Sequence, residues 1–218
     1  MVMGLLTVLS IVFLGIAQYW GLFVAPPDRM MGDLYRILFV HVPSAWMALL
    51  FFTFSFIGSI GYLTRRKSEW DHFAHSSAEI GVVLTGLALA LGSLWGKPVW
   101  GVWWTWDPRL TTTALLFVMY AGYLVLRGLI EDPEKRAKVS AAVGLLVFLN
   151  VPIVYLSVRW WRSLHQVQSS PSTMAPEMVL PLRLNAMALL LACLLLLYGR
   201  IRLAKRESEQ EEKESRGE

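Results

Sequence analysis

An all-α integral membrane protein of six transmembrane helices is the fold class this sequence predicts, with both termini cytoplasmic and a tryptophan-rich loop on the outer face. Three observations predict it. Hydrophobic residues make up 56% of the 218 residues and charged residues 17%, against roughly 25% in soluble domains. The charges are also segregated, so that uncharged runs at 5–24, 44–64, 110–126 and 139–158 alternate with short polar stretches. Each run approaches the ~20 residues with which a helix crosses a bilayer core. In lipid only a helix or a closed barrel satisfies its own backbone, and these runs are about twice as long as a barrel strand.

The first span, about 4–24, differs from a cleaved leader: it lacks a basic start, its apolar run is too long, and Ala25-Pro26-Pro27 is a poor cleavage site. It is read as a retained helix. Spans two and three, about 43–64 and 78–95, flank the basic turn Arg65-Arg66-Lys67. Span four, about 109–127, opens on Asp107-Pro108, an N-cap followed by proline at the first helical position. Span five, about 139–158, carries Asn150 and Pro152, which mark a kink or an interhelical hydrogen bond. Span six, about 178–199, holds Arg183, read as a snorkelling side chain, and Cys193, read as a small packing residue. Cys193 is the single cysteine, which excludes an intrachain disulfide and a Cys-x-x-Cys motif. Residues 1–203 form the membrane domain and 204–218 a charged tail, expected to be disordered from Glu207 onward.

Orientation follows from Lys and Arg. Arg65, Arg66, Lys67, Arg127, Lys135, Arg136, Lys138, Arg200, Arg202, Lys205, Arg206, Lys213 and Arg216 lie on one side, thirteen in all. Arg29, Arg36, Lys97, Arg109, Arg159, Arg162 and Arg183 make seven on the other. The positive-inside rule puts the thirteen, and both termini, in the cytoplasm. Outer loops then span about 25–42, 96–108 and 159–177. The net charge of +4 says little about nucleic acid, because the basic residues sit at the membrane edges.

The ten tryptophans are asymmetric. Trp20, Trp46, Trp95, Trp100, Trp103, Trp104, Trp106, Trp160 and Trp161 fall at outer ends or in outer loops, and Trp70 alone inside. Anchoring is needed at both interfaces, so this split predicts a flat apolar platform for a broad, planar, hydrophobic ligand. Its densest part, 95–106, holds five tryptophans in twelve residues, with Gly96 and Gly101 allowing close backbone approach. The stretch Gly92-x-x-x-Gly96-Lys97-Pro98 is rejected as a nucleotide loop. Its spacing is one residue short and Pro98 replaces the Ser/Thr that binds magnesium.

His41 and His165 lie at similar depth in two outer loops flanking this segment. A neutral imidazole is a natural axial ligand for haem iron, and tryptophans suit the haem face. Arg36, Lys97, Arg109, Arg159, Arg162 and Arg183 offer cations for its propionates. His72 and His75, near Asp71 and Glu79, are read as a polar interfacial turn and not a metal site.

With those residues in view, the chain resembles the haem-handling family named for its Trp-Trp-Asp motif, and within it the CcmC family of bacterial cytochrome c maturation. The resemblance spans about 4–200. It rests on 95–111, on His41-Val42-Pro43 and on Trp160-Trp161-x-x-Leu164-His165-Gln166. The short chain and the single histidine on each side of the motif favour this family over larger lyase-type relatives. The resemblance implies a multi-pass protein of the bacterial inner membrane that holds haem b as cargo on the outer face. His41 and His165 are then the axial ligands, with Trp95, Trp100, Trp103, Trp104, Trp106, Asp107 and Arg109 around the haem. Delivery to the periplasmic chaperone CcmE is implied, with the ABC transporter subunits CcmA and CcmB and the small membrane protein CcmD as partners. Pro108, and Thr111-Thr112-Thr113 after Leu110, are taken as harmless variation.

No residue is an obvious acid, base or nucleophile, so proximity and orientation carry whatever chemistry occurs. Two rivals remain open. A b-type electron-transfer cytochrome should carry histidine pairs within its spans, and a secondary transporter should carry ionisable residues or broken helices near the midplane. Neither accounts for the tryptophans.

Overall fold

The computed structural model describes residues 2–166 and 173–216. Six helical segments are long and apolar enough to cross a membrane: Met3–Val24, Asp33–Arg65, Ser68–Trp100, Pro108–Gly128, Pro133–Trp160 and Pro176–Glu211. Each contains one of the six spans read from the sequence, and the second and third begin about ten residues earlier than read. No strand occurs among the described residues.

Helix α1 (Val2–Tyr19) widens into a π-turn at Trp20–Val24 and packs on α7 (Pro176–Arg216). Its other face presents Leu5, Leu9, Val12 and Ile16 outward, as a lipid-facing helix should. Helix α2 (Leu38–Arg65) is central: it packs most extensively on α3 (Ser68–Trp100) and also on α5 (Pro133–Phe148) and α7. Close approach of α2 to α3 depends on small residues. A Cβ on Gly58 would stand 2.8 Å from the Ala74 backbone nitrogen, and one on Gly61 would overlap Trp70. With no hydrophobic driving force between helices in lipid, such contact is what holds them.

Helix α4 (Pro108–Gly128) and α5 begin alike. Asp107 Oδ1 accepts from the Arg109 N–H at 2.8 Å and Asp132 Oδ1 from Lys135 N–H at 2.6 Å, each followed by proline. The fifth span breaks at Leu149 into α5 and α6 (Asn150–Trp160). Asn150 Nδ2 donates to the Thr112 carbonyl at 2.9 Å, so the kink and the interhelical bond expected there both occur.

Two expectations need correction. Helix α3 does not stop at residue 95 but runs through Pro98 to Trp100, shortening the tryptophan loop to 101–107. Gly101, at φ +80°, supplies the left-handed cap, its N–H returning to the Lys97 carbonyl. His41 belongs to the first turns of α2 and not to a loop, because a 3-10 turn at Asp33–Ile37 leads straight into that helix. From Glu207 the chain continues α7, which runs to Arg216. There Glu207 pairs with Arg200 at 3.1 Å, Glu211 pairs with Arg136, and His72 Nε2 meets Ser208 Oγ at 3.0 Å.

Candidate functional site

At the end of the bundle that carries the tryptophan loop, His41 and His165 face each other with ring centres 6.4 Å apart and planes at 37°. They arrive by different routes. His41 is held by α2, His165 by the irregular segment that follows α6. Each is oriented by a backbone carbonyl, His41 Nδ1 lying 2.9 Å from Ala88 O and His165 Nδ1 2.9 Å from Gln166 O. A carbonyl only accepts, so Nδ1 carries the proton in both rings and Nε2 is the unprotonated nitrogen. Partial burial pushes His165 below the ordinary imidazole value of 6.5, a shift opposed by its bond to Gln166 and reinforced by nearby Arg109. His165 is therefore neutral near pH 7, the form that binds a metal.

Two hollows meet at this pair. One, of about 90 Å³, is lined by both histidines with Ala88, Trp95, Trp100, Trp104 and Arg109. The other, of about 240 Å³, is lined by both histidines with Val42, Trp46, Trp95, Arg109 and Tyr155. Their walls are mostly apolar, the polar groups being the imidazoles, one guanidinium, Thr85, Ser93 and Thr113 in the first hollow and Tyr155 and Gln166 in the second, the mixture expected of a site for a large hydrophobic ligand with a few polar handles. Arg109 donates from Nε to Ser157 Oγ at 3.1 Å and from Nη2 to the Tyr155 carbonyl at 3.3 Å. Of the seven basic residues assigned to the outer side, it is the one that lines either hollow.

The tryptophans divide. Trp95, Trp100 and Trp104 line the first hollow, whereas Trp103 and Trp106 line neither and are 55% and 83% exposed. The flat floor read from the sequence is not what forms. Trp95–Trp100, Trp104–Trp106 and Trp160–Trp161 each meet edge to face, at 84°, 88° and 81°, the arrangement the ring quadrupoles prefer. The loop itself is stapled to α3: Ser93 Oγ donates to the Trp103 carbonyl at 2.7 Å and Lys97 Nζ to the Gly101 carbonyl at 2.9 Å. Asp107, 6% exposed, lines neither hollow. Its carboxylate accepts from Arg109 N–H, from Ser163 Oγ–H at 2.9 Å and from Leu164 N–H at 2.6 Å.

Sequence reasoning missed Gly92, Ser163 and the two carbonyls. Gly92 lines the first hollow, and a Cβ there would lie 3.0 Å from His41 Cε1. Its position one turn along α3 from Ala88 was the available signal, set aside with the rejected nucleotide loop. His72 and His75, within the first turns of α3 and not in the interfacial turn read from the sequence, stand apart. Asp71 is bound to Arg127 and Glu79 to Arg200, and among the described residues no group of three His, Cys, Asp or Glu side chains is arranged to hold a metal ion.

Comparison with known proteins adds relatives. The family described as heme exporter protein C matches residues 1–216. Heme exporter protein C of Bradyrhizobium diazoefficiens is 38% identical over 183 residues, covering 82% of this chain and 69% of that protein. The protein of the same name in Escherichia coli K12 is 35% identical over 199 residues, 90% of this chain and 81% of its own length. That of Haemophilus influenzae is 34% identical over 174 residues, covering 80% and 71%.

Proposed function

Because the chain belongs to the heme exporter protein C family, we propose that it is a haem-handling component of cytochrome c maturation that binds haem between His41 and His165. The observation that carries this is the histidine pair. Both rings are fixed through Nδ1 to a backbone carbonyl, leaving Nε2 unprotonated, the orientation in which a metal-binding histidine is held by its outer-shell partner. Two imidazoles bound to one iron at about 2 Å each bring their ring centres roughly 6 Å apart, close to the 6.4 Å found. Trp95, Trp100 and Trp104 supply apolar walls, and Arg109 supplies a cation for a propionate.

The same reading places the site on the periplasmic face of the bacterial inner membrane, with both termini in the cytoplasm. The cargo is haem b. The chain presents it to the chaperone CcmE, assisted by CcmA, CcmB and CcmD. Holding iron on both axial sides limits its reaction with water or oxygen during the transfer, while bound geometry supplies proximity and orientation.

Visible spectroscopy of the detergent-purified protein tests ligation. His41→Ala and His165→Ala are each expected to shift the Soret and visible bands, and the double variant to lose stable haem. His72→Ala and His75→Ala should leave the spectrum unchanged. Full haem retention in the double variant overturns the assignment. Orientation is tested by thiol labelling, with Gly101→Cys expected to react from outside and Ser68→Cys from inside; the reverse pattern overturns the topology.

A further inference from the structure

Resting on the ligation reading above, we propose that Asp107 is the positioning residue for His165: its carboxylate locks segment 163–165 to the start of α4 and so sets that imidazole opposite His41. His41 needs no such device, since α2 carries it. His165 lies beyond the end of α6, where Trp161 is already extended, and no helical hydrogen bonds fix residues 162–166. Something else must hold them. The carboxylate reaches across the gap with three bonds. Oδ1 accepts from Arg109 N–H and Ser163 Oγ–H, and Oδ2 from Leu164 N–H. Ser163 Oγ in turn accepts from the His165 N–H at 3.0 Å. The chain of contacts thus runs from the first turn of α4, through Asp107 and Ser163, to the backbone of the ligand itself.

Capping alone does not call for aspartate. Serine and asparagine cap a helix about as well, but a serine hydroxyl lacks the second oxygen that Leu164 needs. An asparagine amide turns an N–H₂ toward one of the donors, Leu164 N–H or Arg109 N–H, whichever way it is placed. Two acceptor oxygens facing three donors, at 6% exposure, fit an ionised carboxylate. The helix N-terminus adds to the preference for negative charge.

The test separates capping, tethering and ligation. Asp107→Ser keeps the cap and loses the tether. Ser163→Ala keeps the carboxylate and the cap but removes the link to His165 N–H, and Ser163→Thr restores the hydroxyl. In the haem-loaded protein, Asp107→Ser and Ser163→Ala should bind haem about ten-fold more weakly, the usual scale for losing an outer-shell partner. They should also show a larger five-coordinate fraction and faster carbon monoxide binding after reduction, with Ser163→Thr returning toward wild type. In the haem-free protein, diethylpyrocarbonate should modify His165 several-fold faster in both variants, read by mass spectrometry, while His41 stays unchanged. Wild-type spectra and modification rates in both variants, with His165→Ala still altered, overturn this inference and leave the ligation reading standing. An unchanged spectrum in His165→Ala overturns both.

Discussion

His41 reaches the Ala88 carbonyl across the α2–α3 interface because Gly92, one turn further along α3, has no side chain to stand in its way. Adding one methyl group there has two effects of opposite sign. In a helix interior, alanine is favoured over glycine by about 1 kcal/mol, yet its Cβ would stand 3.0 Å from His41 Cε1, tighter than ordinary contact. The ring must give, and the bond that fixes its tautomer gives with it. Gly92→Ala is therefore expected to melt at or slightly above the wild-type temperature while its haem bands shift and its haem affinity falls several-fold. A variant with unchanged bands would show that His41 has room to spare. Both histidines were legible in the sequence as candidates, from their expected outer positions around the tryptophans. What makes them usable was not, because the carbonyls of Ala88 and Gln166 are backbone atoms that no residue type announces.

Among the elements, the tryptophan segment departs furthest from its sequence reading, and the cause lies in α3. Glycine and proline together at 96–98 signal a helix end. Pro98 costs one backbone hydrogen bond, to the residue four back, but only in the last turn, and Gly101 then closes the helix with a capping bond to Lys97. The helix therefore delivers Trp95 and Trp100 together, edge to face at 5.3 Å, against the first hollow. The shortened loop turns Trp103 and Trp106 outward. Burying a large apolar side chain is worth about 1.5–3 kcal/mol, an upper bound for residues only partly covered. Trp95→Ala, Trp100→Ala and Trp104→Ala are each expected to lower haem occupancy by about ten-fold, with the band positions of the remaining haem unchanged. Trp106→Ala should keep occupancy within about two-fold, because a side chain 83% exposed has little burial to lose. The haem-to-protein ratio by pyridine haemochromogen assay checks both. Loss of haem in Trp106→Ala equal to that in Trp104→Ala would restore the continuous floor first read from the sequence.

Across the whole molecule, the two ends of the bundle are built differently. The site end relies on loops pinned by a few hydrogen bonds, while the opposite end is tied by ion pairs that join α3, α4, α5 and α7. Asp71 and Arg127 form a two-pronged pair at 2.6 and 2.7 Å, Glu79 pairs with Arg200, and Arg136 pairs with Glu211. Six spans were legible because a bilayer imposes one length on every apolar run. These ties were not, since charges 56 residues apart in sequence carry no mark of being partners. Asp71 and Arg127 are each below a tenth exposed, so removing one leaves the other charge buried and uncompensated, a loss of about 3–5 kcal/mol. Replacing both with apolar residues of similar volume removes that cost. Asp71→Leu and Arg127→Met are each expected to lower the midpoint of denaturation in detergent sharply, and the double variant to recover most of the loss. Throughout the series the haem bands of the folded fraction should hold their positions, because the pair lies at the end of the bundle away from His41 and His165. If each single variant matched wild type in stability, the pair would be sharing its charge with water, and that end of the bundle would owe its cohesion to helix packing alone.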